Sequence, residues 1–90
     1  MTREQTQAAI VGLINTNFAV QISPADFEKP LPSIPDLGYD SLRVLELISV
    51  LEEAFGIAID FVEDDVQFTF ETVDRVSRLV QLKLDQRHKQ

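Results

Sequence analysis

The chain contains no cysteine. Disulfide frameworks, thiolate metal sites and thiol nucleophiles are therefore excluded, and the redox compartment is left open. Histidine is nearly as scarce, the single one being His88 in the terminal stretch. No apolar run approaches the roughly 20 residues of a membrane span, and the N-terminus lacks the basic-then-apolar order of a secretory signal. A cytoplasmic protein is the expectation. Basic residues are also few, 8 against 15 acids, for a formal charge of −7. Such a field disfavours nucleic acid and anionic membranes and favours basic protein partners, or it serves solubility.

The deficit is uneven. Residues 19–66 hold eleven acids and two bases, whereas residues 67–90 hold five bases and three acids. Ninety residues with 44% hydrophobic content fit one domain with a modest core and argue against disorder. We expect a single domain over residues 1–84 and a polar tail over 85–90 that frays.

Thr2 and Gln5 form a capping-box pattern that predicts a first helix from about Arg3 to Thr16, with Ile10, Val11, Leu13, Ile14 and Phe18 as its apolar stripe. All four prolines fall within residues 19–39, where no helical period is present. Ile22, Phe27, Leu31, Ile34 and Leu37 punctuate that stretch, so it reads as an ordered loop pinned to a bundle. Helical spacing begins at Ser41 and continues to Phe55, with Gly56 as the stop. Residues 57–61 read as an extended connector, Glu63 to Val66 as a single helical turn, and a last helix opens near Glu71 or Thr72. It buries Val73, Val76, Leu79 and Val80, with Leu84 a further candidate. The sum is an all-α four-helix bundle of three long helices and one short one.

The junction Gly38-Tyr39-Asp40-Ser41-Leu42 places one serine where the proline-rich loop becomes a helix. Asp40 suits the N-cap, and Ser41 then occupies the first helical position. A phosphate on that hydroxyl would meet free backbone N–H groups and the positive end of the helix dipole. A serine hydrolase needs a positioned base and an oxyanion hole, and neither is visible. Asp60 to Glu71 spans twelve residues, as a calcium loop does, but Val62 stands at its third position and Asp65 replaces the required glycine at its sixth. The acidic run reads as a solvated turn, and no metal site is expected.

Wound at about 100° per residue, the second helix gathers Val44, Leu47, Ile48, Leu51 and Phe55 on one face. Leu42, Glu46, Ser49 and Glu53 lie opposite, flanked by Leu45 and Val50. This mixed acidic and apolar face below Ser41 reads as a docking surface for a basic partner. Single exposed apolar residues are also common on ordinary solvated faces.

From Arg3 to Leu82 the chain resembles the acyl carrier proteins. The resemblance is carried by Asp36-Leu37-Gly38-Tyr39-Asp40-Ser41-Leu42, by Val44, Glu46 and Leu47, by Leu51-Glu52-Glu53-Ala54-Phe55-Gly56-Ile57, and by Thr72-Val73. It implies a bundle in which Ser41 carries 4′-phosphopantetheine, with Asp40 capping the helix and orienting the modifying enzyme. That enzyme, a phosphopantetheinyl transferase with its own Mg²⁺, would install the arm from coenzyme A. Acyl groups would ride as thioesters on the arm's sulfur, and the carrier itself would catalyse nothing. Leu42, Leu45, Glu46, Ser49, Val50 and Glu53 match the family's recognition face, which meets acyltransferases, ketosynthases and related enzymes. Val44, Leu47, Leu51 and Ile59 match positions lining its acyl cleft.

Arg43 stands where fatty-acid carriers usually have an acid, which points away from the standard fatty-acid enzymes. The Gly-Tyr-Asp-Ser-Leu form is more like discrete carriers of bacterial polyketide pathways. Peptidyl carriers usually show Gly-Gly-His-Ser or Gly-Gly-Asp-Ser. The expected protein is a monomeric polyketide-type carrier, with a fatty-acid or peptidyl carrier as the alternative. An unmodified acidic adaptor that uses only the second helix is the alternative from another class.

Overall fold

Thr2 opens the chain's first helix by capping it. Its hydroxyl accepts the Gln5 N–H at 3.2 Å, and Gln5 Oε1 accepts the Thr2 N–H at 2.9 Å, closing the expected capping box. In the computed structural model, which describes residues 2–88, this helix, α1, spans Arg3–Phe18. It runs two residues past the predicted end because Phe18 continues the buried stripe of Thr6, Ile10 and Ile14 at four-residue steps. Ala19 stops it in the left-handed conformation, with φ 54°.

The segment from 19 to 40 is an ordered loop with two 3₁₀ turns, Pro24–Asp26 and Leu31–Ser33. Its apolar residues Ile22, Leu31, Ile34 and Leu37 are buried in the common core. Three hydrogen bonds fasten its backbone: Ile22 N–H to Asn15 Oδ1 at 2.9 Å, Leu31 N–H to the Glu71 carbonyl at 2.6 Å, and Asp74 N–H to the Phe27 carbonyl at 3.0 Å. The prolines thus lie in a segment held from both ends of the bundle, which spares a loop of this length from disorder.

Helix α2 spans Ser41–Phe55, as the spacing predicted, and Gly56 ends it with φ 63°. The connector 57–59 carries no strand, and Ile59 N–H is held by Glu52 Oε2 at 3.0 Å. The short helix differs from expectation. Residues 61–65 form turns, and α3 spans Val66–Thr69 instead of starting at Glu63. Asp60 Oδ1 accepts the N–H groups of Val62 at 2.9 Å and Glu63 at 2.8 Å, fixing a side-chain-capped turn. Asp65 then takes a left-handed φ of 46°, which ends that turn and lets Val66 and Phe70 point into the core.

Helix α4 spans Val73–His88. Thr72 Oγ1 caps it by accepting the Arg75 N–H at 3.1 Å. Val73, Val76, Leu79 and Val80 are buried as expected. The helix takes in residues 85–88 of the expected polar tail. Residues 89 and 90 lie outside the described residues. The chain is all-α, with three long helices and one short one and no strand among the described residues. Helix α1 packs against α2 and α4, and α3 packs against α4. Asp74 joins α1 to α4: its Oδ1 lies 2.6 Å from Arg3 Nη2 and accepts from Gln7 Nε2 at 3.3 Å, while its Oδ2 pairs with Arg78 at 3.0 Å.

Candidate functional site

Ser41 is exposed at the first position of α2. Asp40 supplies the N-cap from extended backbone, its Oδ1 accepting the Arg43 N–H at 2.9 Å while its carbonyl accepts Val44 N–H at 3.0 Å. The N–H groups of Ser41 and Leu42 have no partner among the described residues. A hydroxyl therefore stands at a helix start with two free donors, an arrangement that fits the oxygens of a phosphodiester.

The approach to the helix is fixed from behind. Gly38 has φ +60°, a region where any side chain would be strained even though space for a Cβ is open. Tyr39 donates its phenol hydrogen to the Phe70 carbonyl at 2.6 Å, tying the loop's end to the end of α3. Burial of this ring pushes the phenol well above the ordinary tyrosine value.

Arg43 is turned along the protein. Its Nε donates to the Leu37 carbonyl at 3.2 Å, its guanidinium lies 4.7 Å from the Phe18 ring centroid, and its Nη1 is 3.3 Å from Glu46 Oε2. Arg43 thus braces the loop against α1.

A groove of about 730 Å³ opens beside Ser41. Its lining includes Tyr39, Val44, Leu45, Phe61, Val62 and Phe70, with Pro30, Pro32, Asp65 and Glu71. Of the four residues expected in an acyl cleft, Val44 lines this groove. Leu47, Leu51 and Ile59 are buried in the hydrophobic core, outside the groove's lining.

The expected recognition face is largely exposed. Leu42, Leu45, Glu46, Ser49 and Glu53 face solvent, and Val50 is half-buried. Sequence reasoning missed Phe61, Val62 and Phe70 as neighbours of Ser41. The usable signal was two adjacent apolar residues, Phe61 and Val62, set at the head of an acidic run.

A family model described as the phosphopantetheine attachment site matches residues 33–80, which take in Ser41, α2, α3 and the first half of α4. The acyl carrier protein of Helicobacter pylori (strain ATCC 700392 / 26695) is 49% identical over 57 residues, covering 62% of this chain and 64% of that relative. The acyl carrier protein of Nitratidesulfovibrio vulgaris (strain DSM 19637 / Miyazaki F) is 44% identical over 54 residues, covering 59% of this chain and 68% of that relative. The chain thus spans just under two thirds of the first relative's length. No solved structure matches.

These findings define a helical chain with a phosphopantetheine attachment site, and its cofactor is 4′-phosphopantetheine. The chain belongs to the acyl carrier protein family. No helix of the described residues is long and apolar enough to cross a membrane.

Proposed function

We propose that the chain is a cytoplasmic, monomeric acyl carrier of a polyketide or related specialised pathway, with Ser41 as the attachment point of its 4′-phosphopantetheine. The observation that carries this reading is the exposed Ser41 hydroxyl at the capped start of α2, with two unpartnered N–H groups beside it and a largely apolar groove at its side. When attached, the group supplies the thiol that this cysteine-free chain lacks, and with it thioester chemistry. Asp40 holds the first turn in place, and the Ser41 and Leu42 N–H groups stabilise the phosphodiester's charge. Val44, Tyr39 and Phe70 would offer an acyl group on that arm an apolar wall. Carriage then acts through effective concentration, because cargo tethered at Ser41 meets each docked enzyme without diffusing free.

Tyr39 before Asp40-Ser41, and Arg43 in place of an acid, favour the polyketide assignment over a fatty-acid carrier. Partners on this reading are a phosphopantetheinyl transferase and acyl-processing enzymes with basic docking patches. Isolation of the protein from its native host and fragmentation of the Ser41 peptide tests both parts. The expected result is phosphopantetheine on Ser41 bearing keto- or hydroxy-substituted acyl groups. A series of saturated straight-chain acyl groups contradicts the pathway, and an unmodified Ser41 peptide contradicts the attachment.

A further inference from the structure

The groove beside Ser41 and the hydrophobic core share a wall. Among the described residues, Tyr39, Val44, Val66 and Phe70 alone both line the groove and pack in or against the core. Behind them Leu47, Leu51 and Ile59 are at most 8% exposed and stay outside the groove's lining.

Two hydrogen bonds clamp this wall where the loop meets the end of α3. Leu31 N–H donates to the Glu71 carbonyl at 2.6 Å, and the Tyr39 hydroxyl donates to the Phe70 carbonyl at 2.6 Å. Only the second joins two residues of the wall itself, one from the loop and one from the end of α3. No other donor reaches the Phe70 carbonyl among the described residues.

An acyl chain tethered at Ser41 meets two apolar environments. Leu45, Phe61 and Val62 are exposed where they line the groove, so water reaches it. The core is dry, and for a saturated chain burial alone favours the core. Entry requires Phe70 to move away from Tyr39. That movement breaks a hydrogen bond and leaves a buried carbonyl without a donor, which opposes entry.

We infer that the Tyr39–Phe70 hydrogen bond is a latch that keeps tethered cargo in the outer groove and out of the core. Tyr39 is then a positioning residue, acting on the cargo through Phe70. Cargo in the outer groove stays within reach of an enzyme acting at Ser41. Polar substituents on it keep their contact with water, which burial in the core would deny them. The inference deepens the carrier reading and rests on Ser41 as the attachment point.

The full chain loaded by a phosphopantetheinyl transferase provides the test, once with coenzyme A and once with octanoyl-coenzyme A, each verified by intact mass. The difference between the two methyl NMR spectra reports where the octanoyl chain lies. In the wild type the Val44 and Val66 signals move, whereas those of Leu47, Leu51 and Ile59 move little. Tyr39→Phe keeps the ring and removes only the donor. In that variant the displacement of the Leu47, Leu51 and Ile59 signals grows by about fivefold, the bias that one hydrogen bond imposes. Ile14→Val loosens the core from α1, away from the wall, and follows the wild type. Wild-type core signals that move as far as those of Val44 and Val66 overturn the proposal without any variant. An unmoved pattern in Tyr39→Phe, or an equal growth in Ile14→Val, overturns it too. Wild-type chain that gains no mass contradicts the attachment reading and the latch with it.

Discussion

Tyr39 carries more structure than its place in a motif suggests. Its hydroxyl donates to the Phe70 carbonyl at 2.6 Å and its ring lines the groove beside Ser41. Tyr39→Phe leaves that carbonyl without its partner and costs about 1–2 kcal/mol, measurable by urea unfolding. The same burial sets a pH dependence. The unfolded phenol ionises near the ordinary value of 10, whereas the folded one does so only at higher pH. Above pH 10 the folded state therefore binds more protons than the unfolded one. The stabilisation is complete below pH 10 and declines as pH rises beyond it.

The chain has a single tyrosine, so ultraviolet phenolate absorbance reads Tyr39 alone. The expected titration lies above 10; a midpoint at 10 in folded protein contradicts the burial of the ring. None of this was legible in the sequence. The sequence placed Tyr39 next to Asp40 and Ser41, but its partner is a main-chain carbonyl thirty-one residues away. Asp40 was legible, because a cap acts on its own helix and needs only local order.

At the scale of elements, locality again separates what could be read from what could not. The α1 capping box, the α2 bounds and the glycine stop were all visible, since each depends on residues within one turn. The position of α3 was not, because it is decided by the Asp60 side chain and by the left-handed Asp65. Leu47, Leu51 and Ile59 are buried in the common core with residues of α1 and the loop.

The 60–65 turn also carries an acid dependence. Hydrogen bonds from the Glu63 and Val62 N–H groups hold the Asp60 carboxyl below its ordinary value of 3.8. Its contribution to the turn is therefore present above that ordinary value and is lost as pH falls below it. Amide exchange of Val62 and Glu63 at decreasing pH should show protection disappearing below about pH 4, and Asp60→Ala should abolish it at neutral pH. Protection that is insensitive to both changes contradicts the capped turn.

As a whole, the molecule separates its two tasks. Eleven of its fifteen acids fall in residues 19–66, and four of its eight bases lie on α4, where Arg75, Arg78 and Lys83 pair with Glu71, Asp74 and Asp64. Those pairs are individually weak at the surface. On the face around Ser41 the one base of α2, Arg43, pairs with Glu46, and Asp40 is taken up as the helix cap. The bundle holds that face still: the loop is bound to α4 through Leu31 and Asp74, and Arg43 braces it against α1.

The account turns on Ser41, and incubation with a phosphopantetheinyl transferase and coenzyme A, followed by intact-mass measurement, tests it most directly. It predicts a single phosphopantetheine addition to the wild-type chain, located on the Ser41 peptide, and none to Ser41→Ala. No addition to the wild type, or an addition that persists in Ser41→Ala, would contradict it.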